Sequence, residues 1–185
     1  MQIHQEVLKA EKQIRKFIRK TPIEFSPYLS KLCNCNVYLK LESEQLTGSF
    51  KIRGAFNKLL SCKNELNNGF ITASTGNHGK AVAYVSKMLN LKGTVYVPTK
   101  VSKTKLEAIN FYGINIKKYD GTSGETEIHA RKVAEKQEIP FVSPYNDIEI
   151  VAGQGTVGYE IWEQLQDINA VFVCIGGGGL ISGIA

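Results

Sequence analysis

Apolar positions recur at helical spacing from the start of the chain. Ile3, Val7, Leu8, Ile14, Phe17 and Ile18 predict a helix over residues 3–19. Thr21-Pro22 ends it, because a residue preceding proline avoids the helical region. Val37-Tyr38-Leu39-Lys40-Leu41 reads as a short strand. A loop of Ser, Thr and Gly runs from Ser43 to Ser49. Ala55, Phe56, Leu59 and Leu60 then form a helical stripe directly after Lys51.

From residue 70 the period alternates between that of a strand and that of a helix. Strands are predicted at 70–73, 94–97, 114–116 and 140–142, and helices at 77–90, 102–112 and 123–137. Strands alternating with helices of this length specify an α/β fold with a parallel sheet. Right-handed crossovers place helices on both faces, giving three layers. A second unit opens late. Residues 156–166 predict a helix, and Ala170 to Ile175 a buried strand that runs into Gly176-Gly177-Gly178-Gly179. The chain stops at Ala185, so that sheet has too few strands to bury its faces. A truncated protein is the expectation.

Composition narrows the class. Of the 185 residues, 43% are hydrophobic and 22% charged, which suits a packed globular chain and not a disordered one. No apolar run approaches the ~20 residues of a membrane helix, and the N-terminus lacks the order of a signal peptide. A cytoplasmic protein with no membrane contact is expected. The net charge of +6 raises nucleic acid as a partner. The cations are scattered, however, and Lys9, Lys12, Lys16 and Lys20 fall on one solvated helix face, so no nucleic-acid partner is expected. Cys33-Asn34-Cys35 has no second cysteine pair nearby, so no metal site is expected, and the cysteines are read as reduced. Trp162 reads as core or interface, and His4 and His129 as solvent-facing.

Three segments carry candidate chemistry. In Thr47-Gly48-Ser49-Phe50-Lys51, a lysine opens a helix after a small flexible loop, near the positive end of the peptide dipoles. That setting depresses an amine pKa and favours nucleophilic use; a plain surface lysine is the alternative. Ser74-Thr75-Gly76-Asn77-His78-Gly79 lies between a strand and a helix, where N–H groups and hydroxyls suit an anion. An ordinary N-cap is the alternative there. Gly176 to Gly179 let the backbone approach a phosphate closely, or simply make a tight strand–helix turn. No dinucleotide fingerprint or P-loop is present.

Taken together, Thr21-Pro22, Leu39-Lys40-Leu41-Glu42, Thr47 to Ala55, Ser74 to Gly79, Ala152-Gly153-Gln154-Gly155-Thr156 and Gly176 to Leu180 resemble one family. The chain looks like the fold type II pyridoxal-phosphate enzymes, which are tryptophan synthase β-like, in the threonine/serine dehydratase and serine racemase branch. The resemblance implies a two-domain enzyme: residues 1–68 and 148–185 in a large domain, the second part incomplete, and 69–147 in a small one. It implies pyridoxal 5'-phosphate held by Lys51 as a Schiff base, with Lys51 also the base at Cα. Phe50 would pack near the cofactor ring and Asn77 would bond its phenolic oxygen. Gly176, Gly177, Gly178, Gly179 and Leu180 would hold the phosphate. Ser74, Thr75, Asn77 and His78 would surround a substrate carboxylate. The family's divalent-cation ligands would lie beyond residue 185.

The implied reaction is deamination of L-threonine or L-serine to a 2-oxo acid and ammonia, in a homodimer. Serine racemases of this kind carry serine where this chain has Thr75, and dehydratases often carry alanine. Pro144-Tyr145-Asn146-Asp147 resembles the dehydratase pattern, so a dehydratase is expected over a racemase or a dehydratase of hydroxyaspartate or another β-hydroxy amino acid. A cofactor-free binding or regulatory protein would have lost the lysine. A cysteine synthase relative would match residues 74–79 less well.

Overall fold

A computed structural model describes residues 2–185. The N-terminal helix α1 spans Ile3–Ile14 and tightens into a 3-10 turn at Arg15–Phe17, short of the predicted end at 19. Two short elements were not foreseen. Strand β1 (Ile23–Phe25) pairs antiparallel with β2 (Tyr38–Lys40). Between them lies α2 (Pro27–Cys33), capped by the Ser26 hydroxyl, with proline at its first position and Asn34 left-handed at its end. Helix α3 (Lys51–Ser61) follows the loop, as expected.

The parallel sheet forms in the order β3-β4-β5, from Phe70–Ala73, Gly93–Pro98 and Asn115–Tyr119. The strand predicted at 140–142 makes one parallel bridge, Phe141 to Ile71, on the free edge of β3. All four β3 residues are buried, as a strand covered on both faces requires. Edge strand β5 instead exposes Lys117 and Lys118, charges that discourage further pairing.

Alternate strand positions feed two apolar clusters. Phe70, Val95 and Val97 join Val82 and Val85 of α4 (Asn77–Leu89) and Ile109 of α5 (Lys103–Asn110). Ile71, Ala73 and Tyr96 meet Ala130 and Ala134 of α6 (Ser123–Lys136), whose start is fixed by a capping box of Thr122 and Glu125. Helices therefore cover both faces, as predicted. The first cluster also takes in Ile14, Ile52 and Phe56, so it runs across the boundary expected at residue 68.

Helix α7 spans Ile148–Gln164 and begins well before the predicted 156. Its early glycines serve contact: a Cβ on Gly153 would stand 2.6 Å from the Gly54 Cα and 2.7 Å from the Arg53 carbonyl oxygen. The strand expected at 170–175 does not form. That stretch finds no strand partner among the described residues, and Phe172 is 97% exposed. Trp162 is likewise mostly exposed, beside Tyr159. His129 is half-buried and not solvent-facing, stacked on Tyr119 at 4.2 Å. The lysines at 9, 12, 16 and 20 are exposed, as read from the sequence.

Candidate active site

Lys51 is the first residue of α3, and its side chain is drawn inward. The amine Nζ donates to the carbonyl oxygen of Pro144 at 2.6 Å and lies 5.3 Å from the centre of the Phe50 ring. Burial pushes the amine pKa below the ordinary lysine value. A larger share of Lys51 is therefore neutral near pH 7 than of a surface lysine. Just before it, the hydroxyls of Thr47 and Ser49 are buried and without partners.

The glycine loop reaches the same segment from the other side. A Cβ on Gly177 would stand 2.5 Å from the Tyr145 ring, and one on Gly179 would stand 2.6 Å from the Tyr145 carbonyl oxygen. Gly178 has φ +85°, a region glycine enters freely. Gly176 has open space around it, and Leu180 is partly buried in the opening turn of α8 (Gly179–Ile184). Pro144 and Tyr145 thus bring Lys51 and the glycine loop onto adjacent residues. Tyr145 is itself held by its hydroxyl, which donates to Glu127 at 3.1 Å, and Glu127 also accepts from Arg131 at 2.8 Å.

The turn between β3 and α4 carries the remaining candidates. Ser74 accepts from the Gly76 N–H at 3.3 Å, and Asn77 is exposed at the first position of α4. Thr75 opens onto a cleft of about 630 Å³ at the carboxyl ends of the sheet strands, walled also by Pro98, Ser102, Asp120 and Thr122. Open α/β sheets bind ligands at that end. Lys51 does not line this cleft.

His78 departs from expectation. Its imidazole is 2% exposed and turned into the protein, so the side chain does not face the loop's open side where a carboxylate would sit. Helical geometry accounts for this: Asn77 points outward, and the next residue is rotated by about 100° toward the sheet.

The residues present suit a phosphorylated aldehyde. A half-buried amine of lowered pKa lies beside an aromatic ring, and the loop that meets the same segment has glycines at two positions where a side chain would collide. The pattern of the pyridoxal-phosphate dependent enzymes matches residues 14–185. The chain belongs to that family. It is 37% identical to a serine racemase of Dictyostelium discoideum over 179 residues, covering 96% of this chain and 55% of that one. It is 40% identical to the catabolic L-threonine dehydratase TdcB of Staphylococcus aureus over 182 residues, covering 97% and 53%. Among solved structures, the processed threonine deaminase isoform 2 of Solanum lycopersicum superposes with a TM-score of 0.93 at 36% identity, covering 99% of this chain and 51% of that one. The chain spans about half the length of the curated relatives it matches. The fold is the α/β fold of these enzymes, as expected.

Among the described residues, no His, Cys, Asp or Glu cluster suits a metal, all four cysteines are free, and no helix is long and apolar enough to cross a membrane. Pro144 and Tyr145, which in the sequence are only part of a dehydratase-like pattern, join the site in the structure. Their positions depend on distant segments meeting, which no local period signals.

Proposed function

We propose that this chain carries the cofactor lysine of a pyridoxal-phosphate-dependent ammonia-lyase that converts L-threonine or L-serine to the 2-oxo acid and ammonia. One observation carries the reading: the Lys51 amine, depressed by burial, is held at Pro144 next to the residue that packs on Gly177 and Gly179. Similarity to both a threonine dehydratase and a serine racemase supports that substrate class.

Lys51 would hold the cofactor's aldehyde, Phe50 would lie against its ring, and Asn77 would bond its phenolic oxygen. Gly176 to Gly179 and Leu180 would take the phosphate. Bound pyridoxal phosphate supplies an electron sink that acidifies the substrate Cα–H. The residues of the chain do the rest. Ser74, Thr75 and the N–H groups opening α4 would orient the substrate carboxylate. The Lys51 Nζ, whose charge is disfavoured by burial, would accept the Cα proton in its neutral form. The β-hydroxyl would leave with a proton as water, and a water would later release ammonia. The same reading assigns residues 1–68 and 148–185 to one domain and 69–147 to another. It also carries the expectation of a cytoplasmic homodimer.

The second reading is a serine racemase. The Thr75 hydroxyl is what favours it, because the resemblance implies a proton donor at this position on the face of Cα opposite Lys51, and such a donor would invert Cα. Incubation with pyridoxal phosphate, L-serine and L-threonine tests both. Pyruvate and 2-oxobutanoate are expected. D-serine accumulating faster than pyruvate reverses the order of the two readings. Lys51→Ala should abolish the absorbance band of the lysine-linked cofactor. A wild-type chain that shows no band in excess cofactor defeats both.

A further inference from the structure

A buried line of hydrogen bonds runs behind Lys51. Thr72, on β3 and fully buried, donates its hydroxyl hydrogen to the carbonyl of Val142 at 2.7 Å. A threonine hydroxyl has one hydrogen, so this bond uses it. Nε2 of His78 lies 3.2 Å from the same hydroxyl oxygen. The hydrogen in that second contact must therefore come from the ring. His78 is then the Nε2–H tautomer, and its buried, unpartnered Nδ1 is a bare lone pair. Burial and the nearby charge of Lys51 outweigh a hydrogen bond with the Val142 backbone and hold the imidazole pKa at about 3, so the ring is neutral across the physiological range.

The far end of this line lies next to the amine. Backbone bonds tie the 140–142 segment to β3, from the Ile71 N–H to the Pro140 oxygen at 2.9 Å and from the Val142 N–H to the Ile71 oxygen at 2.8 Å. The Thr72 hydroxyl adds a tie at the Val142 carbonyl. Past it the chain turns away, and the Ser143 N–H goes to Asp147 instead. Pro144 comes next, and its carbonyl holds the Lys51 amine. Pro144 has no N–H with which to anchor itself. Its placement thus depends on what fixes the residues just before it.

We propose that His78 and Thr72 are positioning residues for Lys51: the imidazole orients the Thr72 hydroxyl, the hydroxyl fixes Val142, and Val142 sets the Pro144 carbonyl that aims the amine. This gives the His78 side chain a task other than binding the substrate carboxylate. It rests on Lys51 being the cofactor lysine.

Thr72→Val keeps the shape and removes the hydroxyl. In the full chain, pyridoxal phosphate is added and its capture by Lys51 is followed through the absorbance of the lysine-linked cofactor, with melting temperatures recorded in parallel. Thr72→Val is expected to slow capture about tenfold, the rate equivalent of roughly one buried hydrogen bond. Thr72→Ser is expected to restore it. Capture by Thr72→Val at the wild-type rate overturns the proposal while leaving the cofactor reading intact. A wild-type chain that captures no cofactor sinks that reading and this proposal with it. Should Thr72→Val fail to fold, spectra of 15N-histidine in the wild-type protein decide. A neutral Nε2–H ring at pH 6 is expected for His78, and an Nδ1–H tautomer or a protonated ring there overturns the proposal.

Discussion

The Lys51 amine donates to the carbonyl of Pro144 at 2.6 Å, across 93 positions of sequence. This one bond ties the start of α3 to the segment leaving the sheet edge, and it places an ionisable group where burial disfavours its charge. The sign of the resulting pH effect follows. The folded amine binds its proton less tightly than an ordinary lysine, whose pKa is about 10.4. Between the depressed value and that ordinary one, the unfolded chain holds more protons than the folded chain, so stability rises with pH through the window. Lys51→Met removes the buried charge. The variant's stability relative to wild type should be more favourable at pH 7 than at pH 10, read from urea midpoints. An equal difference at both pH values would show that Lys51 carries no such penalty.

The glycine loop separates packing from binding. At Gly179 an added Cβ would stand 2.6 Å from a main-chain oxygen of Tyr145, which cannot rotate away. Gly179→Ala should therefore destabilise the chain by about 1–3 kcal/mol, as overpacking does. Gly178→Ala would place a side chain at φ +85°, costing about 1–2 kcal/mol. A Cβ on Gly176 meets nothing within 4 Å. Gly176→Ala should melt like wild type yet, if the loop is the proposed phosphate cradle, bind pyridoxal phosphate more weakly, since the added methyl would narrow it. Thermal melts paired with cofactor titration by fluorescence check this. Wild-type affinity in Gly176→Ala would remove that residue from the cradle.

The sheet was legible because each strand carries its own apolar run and each helix its own stripe. Phe70 to Ala73 and Ala81, Val82 and Val85 announce themselves locally, and so do the loops between them. Legibility failed where a residue's purpose lies in another element. The predicted helix starts only at 156 and leaves out Ala152 to Gly155, because glycines weaken a lone helix. On α7 they are the contact surface for α3 and α8. Ala170 to Ile175 had the composition of a buried strand, and composition cannot supply the neighbouring strands that such a segment needs. The site shows the same division. Local chemistry marks Lys51 and the two small-residue loops only as candidates, and the roles proposed for them come from the family resemblance. The inward turn of His78 and the junction at Pro144 and Tyr145 were not.

The α3–α7 contact gives a test of that point. Gly153→Ala would drive a methyl into the Gly54 Cα and the Arg53 carbonyl, both backbone. In an exposed helix the same change should stabilise by up to about 1 kcal/mol, because alanine is the better helix former. Here the expected sign is reversed, with a loss of about 1–3 kcal/mol. A denaturation midpoint at or above wild type would mean that the two helices do not approach this closely in solution.

Behind α3, Glu160 is fully buried and surrounded by cations. It accepts from Arg53 at 2.8 and 2.9 Å, from Lys40 at 2.6 Å and from Arg15 at 2.5 Å, and Arg53 reaches on to Glu42 at 2.7 Å. Burial alone would raise the Glu160 pKa, but the hydrogen bonds and charge of Arg53, joined by Lys40 and Arg15, outweigh it and bring the carboxyl down to about 2. A carboxylate depressed in the fold contributes stability that is fully present above its ordinary pKa of about 4.3 and is lost as pH falls through about 2. Glu160→Ala leaves Arg53, 0% exposed, beside Lys40 and Arg15 with only Glu42 to answer it. Removing one partner from a buried ionic cluster costs about 3–5 kcal/mol. Arg53 is two residues from Lys51 on the same helix, so the loss should also loosen the lysine proposed to hold the cofactor. Urea unfolding between pH 2 and 7 should show the wild type losing stability toward the acid end and Glu160→Ala losing less there, because it has already lost this contribution. Parallel acid profiles for the two proteins would mean that the network adds nothing beyond packing.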